Sequence, residues 1–181
     1  MEKKMEFRVV KKEDLSRMKA MYRRLYEYME ENGIHIWDDH YPCELLEGDI
    51  EKGQLYGLFL DGQPMAGFAL CASNNGENHV KWEKPEATAR YMERLGVDVE
   101  HLRRGYASQM LQKAAEVAQE QGVEYLRLFA AASNPASLVL YRKNGFRQAE
   151  GVFQEQIDEN WILPEYGFEI HTKKCDRVSG R

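Results

Sequence analysis

The sequence lacks any long hydrophobic run: no apolar stretch in its 181 residues approaches the ~18–20 needed to span a membrane. The opening MEKKMEF also lacks the apolar stretch of a signal peptide. Cysteine is scarce. Cys43, Cys71 and Cys175 are widely spaced, odd in number and without a CxxC pair, which argues against a disulfide framework. These features together predict a cytoplasmic chain with no membrane partner. The 5 histidines are scattered with no HExxH and no ligand spacing, so no metal is expected. An excess of positive charge is missing too. With 25 Lys and Arg against 30 Asp and Glu the net charge is −5, and a nucleic-acid partner is not expected. No repeat, low-complexity tract or linker interrupts the chain.

What is present is an ordinary globular balance, 43% hydrophobic and 30% charged, in a length that fits one domain over residues 1–181. MEFRVVKK reads as a first strand. Asp14 or Glu13 opens a helix whose Leu15, Met18, Met21, Tyr22, Leu25 and Met29 share one face, with Gly33 as its stop. A short helix is expected around 43–52. Two apolar runs flank Asp61-Gly62, the signature of a tight hairpin. ATARYMERLGV reads as a strand, residues 105–121 as a helix stopped by Gly122, and VEYLRLFAAA as the next strand. Asn134 caps a helix with Pro135 at its first position. FRQAEGVF and LPEYGFEIH read as two final strands. The order predicts a mixed α/β sheet with helices on its faces, and the crossover between residues 97 and 123 is long enough to join parallel strands.

One stretch stands out. HLRRGYASQML places Arg103 and Arg104 just before Gly105, at the start of a helix. That end of a helix carries about half a positive charge, so a cation there costs about 0.3–1 kcal/mol. An anion bound at the same pole would remove the conflict, because the first backbone N–H groups of a helix have no partner within it. Gly105 lets such a ligand approach the backbone, and Ala107 and Ser108 keep the next turn small. Neither a Walker A loop nor a GxGxxG is present. Alone, the stretch reads equally as a solvated loop with two surface arginines.

A second stretch, SNPASLVLYRKNGF, follows 28 residues after Gly105 and one strand further on. With RRGYA it resembles the GCN5-related N-acetyltransferases, the GNAT superfamily. The family loop Q/R-x-x-G-x-G/A is matched by Leu102, Arg103, Arg104, Gly105, Tyr106 and Ala107, with Leu102 departing at the first position. The family pattern N-x-x-[A/S]-x-x-x-Y-x-x-x-G-F is matched by Asn134, Ser137, Tyr141, Gly145 and Phe146. Trp37, Tyr41-Pro42 and Asp49-Ile50 look like an element of a subgroup of uncharacterised bacterial members.

The resemblance implies a mostly antiparallel sheet splayed where two parallel strands part, with acetyl-CoA as cosubstrate in the gap. It implies pyrophosphate on the loop from Leu102 to Ser108, pantetheine along Leu95, Gly96 and Val97, and Asn134, Ser137 and Tyr141 beside the cofactor. The Leu95 amide would be the oxyanion donor and Tyr141 the acid that protonates the leaving thiolate. A phenol with a pKa of about 10 is protonated at neutral pH and can donate. Its other reading is packing with Leu138, Val139 or Leu140. Glu93 is the candidate base. Strand alternation puts Tyr91, Glu93, Leu95 and Val97 on one face and Met92, Arg94 and Gly96 on the other. A salt-bridged strand carboxylate, with a water chain as base, is the alternative. Trp37, Tyr41 and Tyr91 are candidates for the acceptor wall, although Trp37 would also serve to anchor its loop. The implied partners are acetyl-CoA, an amine acceptor and a second copy in a homodimer. A non-catalytic acyl-CoA sensor, or transfer of another acyl group, remains open.

Overall fold

The computed structural model describes residues 3–173, so Cys175 lies outside the described residues. Within the span expected as one domain it forms two compact units. One runs up to Leu70 and takes in Arg94–Met110; the other comprises Cys71–Glu93 and the residues from Leu111 on.

The strands are β1 (Met5–Val9), β2 (Leu55–Leu60), β3 (Gln63–Cys71), β4 (Ala89–Val97), β5 (Tyr125–Ala131), β6 (Arg147–Gln148), β7 (Phe153–Asp158) and β8 (Trp161–His171). The helices are α1 (Leu15–Glu31), α2 (Leu46–Glu51), α3 (Tyr106–Glu120) and α4 (Pro135–Lys143). The strands follow the order β1-β2-β3-β4-β5-β8-β6, with β7 on β8, in an 8-stranded sheet. The β1–β2, β2–β3, β5–β8, β6–β8 and β7–β8 pairs are antiparallel, and in the β4–β5 pair Ala89–Met92 run beside Tyr125–Leu128 in parallel. Parallel neighbours need a crossover, and α3 supplies it.

In the first unit the apolar stripe of α1 forms as its spacing predicts, with Met18, Met21, Tyr22, Leu25 and Met29 buried. Gly67 of β3 and Gly96 of β4 let this helix come close: a Cβ at either would lie 2.8 Å from a Met18 or Tyr22 side-chain atom. The β2–β3 hairpin turns at Asp61 and Gly62, both at positive φ (50° and 79°), as a primed turn requires. Asp14 does not cap α1 with its side chain. Its buried carboxylate instead accepts hydrogen bonds from the Arg8 and Arg17 guanidinium groups and from the Lys11 amide, and two cations outbid a helix N–H.

In the second unit, β5 and β8 are paired from Tyr125↔His171 to Ala131↔Glu165. Leu126, Leu128, Phe168 and Ile170 are buried there. The expected strand FRQAEGVF is broken at Gly151, whose φ of +101° no strand accommodates. It yields two strands, β6 and the start of β7, so three strands and not two close the chain.

Strand β4 is kinked. Arg94 has φ +57° inside the strand, a left-handed conformation that side-chain-bearing residues adopt at a cost of about 1–3 kcal/mol. Burial nonetheless alternates from Glu93 to Gly96 as the two-face division expects, with Arg94 and Gly96 buried and Glu93 and Leu95 half-buried, and departs from it at Val97, which is buried.

Candidate functional site

The loop expected to hold an anion belongs to the first unit. A 3₁₀ turn over Val99–His101 leads into Leu102, then Arg103 at φ +59° and Gly105 at φ +83°, and α3 starts at Tyr106. Arg103, Arg104 and Gly105 are exposed, and Tyr106, Ala107 and Ser108 are half-buried. Nothing lies within 4 Å of where a Gly105 side chain would stand. The loop therefore offers open backbone beside two guanidinium groups at the positive pole of a 15-residue helix. Upstream, the Asp98 carboxylate accepts from the Glu100 amide and from Arg24, which ties the loop's entrance to α1. Ligating atoms of Asp98, Glu100 and His101 lie within 4.8 Å of one another, a cluster that sequence spacing did not suggest, with the Arg24 guanidinium already on Asp98.

The kink in β4 is held by a buried network. Arg94 donates to both oxygens of Asp49 at 2.8 Å, and the two side chains are 4% and 5% exposed. Gln54 donates to Asp49 at 2.8 Å, and the Tyr22 hydroxyl donates to the Arg94 carbonyl at 2.6 Å. Trp37 packs on Tyr22 and Tyr41, with ring centroids 5.9 and 6.0 Å away. The sequence element Trp37, Tyr41-Pro42, Asp49 thus converges on the kink. Trp37 and Tyr41 are both half-buried and joined to this cluster.

The second unit carries the ionisable groups. Glu93, beyond the end of the β4–β5 ladder, accepts from the Asn74 side chain at 2.6 Å. Asn74 is itself fixed, taking the Gly76 amide on its other end at 2.7 Å. Glu155 of β7 and Glu165 of β8 lie diagonally on one face and are hydrogen-bonded to each other. Burial, and then the Glu155 and Glu93 charges, push Glu165 up to about 8; burial raises Glu155 as well. Tyr141 of α4 is 7% exposed, packs on Phe146 and Phe168, and shares a hydrogen bond with Ser137. Burial, with the nearby Glu165 carboxylate, pushes its phenol up to about 12. Asn134 donates to Ser137 at 2.7 Å. That bond takes the side chain away from the cap, so Asn134 fills the cap position without the expected side-chain cap bond.

One unit therefore brings together a protonated phenol and three carboxylates, from the strands β4, β7 and β8 and the helix α4. Only Tyr141 and Glu93 were expected from sequence. The available signal for Glu165 was one of only two charges, the other being Glu169, in the otherwise apolar WILPEYGFEI. Glu155 sits in the alternating polar FQEQID and carried no signal.

Tyr91 points elsewhere. It is 5% exposed and lines a cavity of about 380 Å³ with Trp82, Arg127 and Glu77. Arg127 donates to the Tyr91 hydroxyl at 3.4 Å and to the Lys84 carbonyl at 2.8 Å, and lies 4.7 Å above the Trp82 ring. Its Nε stands 3.9 Å from Glu169, outside hydrogen-bond reach.

No helix among the described residues is long and apolar enough to cross a membrane. No curated protein matches the chain. Solved structures do. PaiA N-acetyltransferase from Thermoplasma acidophilum in complex with coenzyme A is 18% identical, with 93% of this chain and 99% of that one covered at a TM-score of 0.65. A GNAT-family acetyltransferase from Streptococcus agalactiae is 16% identical over 92% and 95% of the two chains, at 0.79. The ribosomal-protein-S18-alanine N-acetyltransferase from Escherichia coli is 15% identical over 93% and 94%, at 0.67. At these identities the structures speak for the fold, whereas the family model speaks for the sequence itself. The model of the acetyltransferase (GNAT) family matches residues 17–146, which takes in both the glycine loop and the Asn134–Phe146 pattern, and the chain belongs to that family.

Proposed function

We propose that the chain transfers an acetyl group from acetyl-CoA to a primary amine by direct attack. The observation that carries this reading is that, within one unit, buried Tyr141 lies near the Glu165 carboxyl, which itself interacts with Glu155 and Glu93. Acyl transfer to an amine needs an acid for the leaving thiolate and an acceptor for the amine's proton. The amine nitrogen forms its bond to the thioester carbon, and the carbon–sulfur bond breaks. The thiolate takes the Tyr141 proton. The ammonium proton passes to Glu93, directly or through water, with Glu155 and Glu165 as an adjoining sink. The developing oxyanion is received by the Leu95 amide, and Gly96 and Val97 carry the pantetheine arm. The pyrophosphate lies on the Leu102–Ser108 loop, where Arg103 and Arg104 complement its charge. Asn134 and Ser137 flank the cofactor.

An acidic patch of this kind also suits a cationic acceptor over a neutral or anionic one. Trp37 and Tyr41, half-buried in the first unit, are the candidate acceptor residues, whereas Tyr91, buried beside Trp82 and Arg127, does not join them. The cytoplasm is the proposed compartment and a homodimer the proposed assembly. A sensor that binds acyl-CoA without turnover is the rival reading, and a different acyl donor a variant of the main one.

The deciding experiment is CoA release from acetyl-CoA across a library of amines and peptides. Turnover with at least one amine, faster than with succinyl-CoA as donor, is expected. Binding of acetyl-CoA without release on any amine would favour the sensor. A ligand that binds only the folded chain, at 100 times its dissociation constant, adds about 2.7 kcal/mol. Saturating acetyl-CoA should therefore raise the melting temperature, and no rise would remove the reading altogether.

A further inference from the structure

We propose that Tyr22, on α1, is a positioning residue for the Leu95 amide, fixing the Arg94–Leu95 peptide plane through the Arg94 carbonyl. The inference rests on the acyl-transfer reading above for its functional meaning, but on the first unit's geometry for its substance.

A trans peptide is planar, and its C=O and N–H point in opposite directions. Whatever holds the carbonyl of one residue therefore aims the N–H of the next. The Arg94 carbonyl is held by the Tyr22 hydroxyl at 2.6 Å, in a bond buried from solvent. Tyr22 is itself fully buried, and its ring is wedged against the bare backbone of Gly67 and Gly96 and against Trp37. Its hydroxyl thus has one place to go. Burial raises its pKa far above that of an ordinary phenol, so it stays a donor at every accessible pH.

The plane it holds is not one the strand would adopt unaided. Arg94 at φ +57° is in the left-handed region, where a side-chain-bearing residue is strained. Two devices meet at this residue. Asp49, backed by Gln54, grips the side chain through two 2.8 Å bonds, and Tyr22 grips the main chain. With the Arg94 carbonyl turned to Tyr22, the planar peptide directs the Leu95 N–H away from α1. A hydrogen bond on the carbonyl also polarises the same amide, so the N–H becomes a stronger donor. An oxyanion donor must be fixed before charge develops, because reorientation during the reaction would consume the stabilisation it offers.

Tyr22→Phe removes one hydroxyl and leaves the ring's packing in place. Two readouts separate positioning from mere stability. In the parent, the backbone amide proton of Leu95, followed by NMR, should move downfield when acetyl-CoA is added, and less so with CoA that lacks the acetyl group. In the variant that difference should shrink, and Leu95 should show the largest upfield change among the β4 amides. In parallel, CoA release with butylamine as acceptor should fall at least tenfold in kcat, with KM for acetyl-CoA within about twofold, measured well below the melting temperature. An unchanged kcat, or a Leu95 amide that does not move, would overturn the proposal. If the parent does not turn over butylamine, the acyl-transfer reading loses support for that amine, and the Leu95 response to acetyl-CoA alone decides the positioning role. Should Tyr22→Phe fail to fold, Asp49→Asn keeps the shape, removes the charge that grips Arg94, and should move the same two readouts in the same direction.

Discussion

Replacing Glu165 with glutamine should stabilise the protein, and more so as the pH rises. Glu165 and Glu155 share a hydrogen bond, and Glu93 adds a third negative charge nearby. Three carboxylates cannot all ionise cheaply in a partly buried site. Glu165 accordingly keeps its proton in the folded chain at pH values where the unfolded chain has lost it. Folding takes up protons between the ordinary carboxyl range and about 8, so stability falls as pH rises through that window. Carried by Glu165 alone, a rise from 4.5 to about 8 would correspond to about 5 kcal/mol. The proton is shared with Glu155 and water reaches the pair in part, which reduces the expected effect to about 2–3 kcal/mol, or about 5–10 °C for a chain of this size.

Glutamine keeps the shape and the hydrogen-bonding capacity but cannot ionise. Near pH 5 the two proteins should melt together, and by pH 8.5 the variant should lead. Taking the difference between parent and variant cancels every other titrating group that the substitution leaves alone. The same titration belongs on the rate. In the parent, kcat/KM should rise with pH through a limb near 8, as the pair ionises and can accept the amine's proton. Glu165→Gln should lose that limb while gaining stability. A melting difference that stays flat or narrows with pH would refute the coupled-carboxyl argument, whatever the kinetics show.

Other perturbations address the remaining parts. Tyr141→Phe should fold, because its packing on Phe146 and Phe168 involves the ring and not the hydroxyl; kcat should fall by about 10²–10⁴ with acetyl-CoA affinity retained, and an unchanged kcat would return Tyr141 to packing alone. Gly105→Glu places a carboxylate at φ +83° in the open loop, and calorimetry should find CoA binding lost while far-UV circular dichroism stays native. Gly105→Ala shares the backbone strain without the charge, so binding lost equally in both would trace the effect to the backbone. Glu93→Gln should lower the kcat/KM plateau and leave acetyl-CoA affinity within a few fold, and an unchanged plateau would move the base to Glu155 and Glu165.

How much of this was legible in the sequence depends on how local the cause was. The glycine loop and the Asn134–Phe146 pattern are contiguous, and each residue's conformation answers to its neighbours. Gly105 takes positive φ, Pro135 opens a helix, and both could be read in place. The α1 stripe was legible for the same reason, since periodicity alone selects its buried face. Asp14 and Asn134 show where local reading stops. Both stand at the cap position, yet each side chain is taken by a partner that capping preference does not include: Arg8 and Arg17 for the first, Ser137 for the second.

The carboxylate cluster and the kinked strand depend on contacts between residues far apart in the chain. Glu93, Glu155 and Glu165 come from three strands, and no spacing in the sequence brings them together. The β4 kink is subtler, because arginine is not a residue that invites positive φ. Its cause sits 45 residues away at Asp49 and 72 away at Tyr22. Yet the sequence did hold a trace of it: Trp37, Tyr41-Pro42 and Asp49-Ile50 stood out as an element without an assigned task. In the fold that element surrounds Tyr22 and Arg94, so its residues answer to the shape of one peptide bond. Asp49 grips Arg94 whether or not Trp37 and Tyr41 also touch substrate. The supporting role behind the kink therefore stands on Asp49→Asn alone: it requires the Leu95 amide to move, and an amide left where it is would refute it.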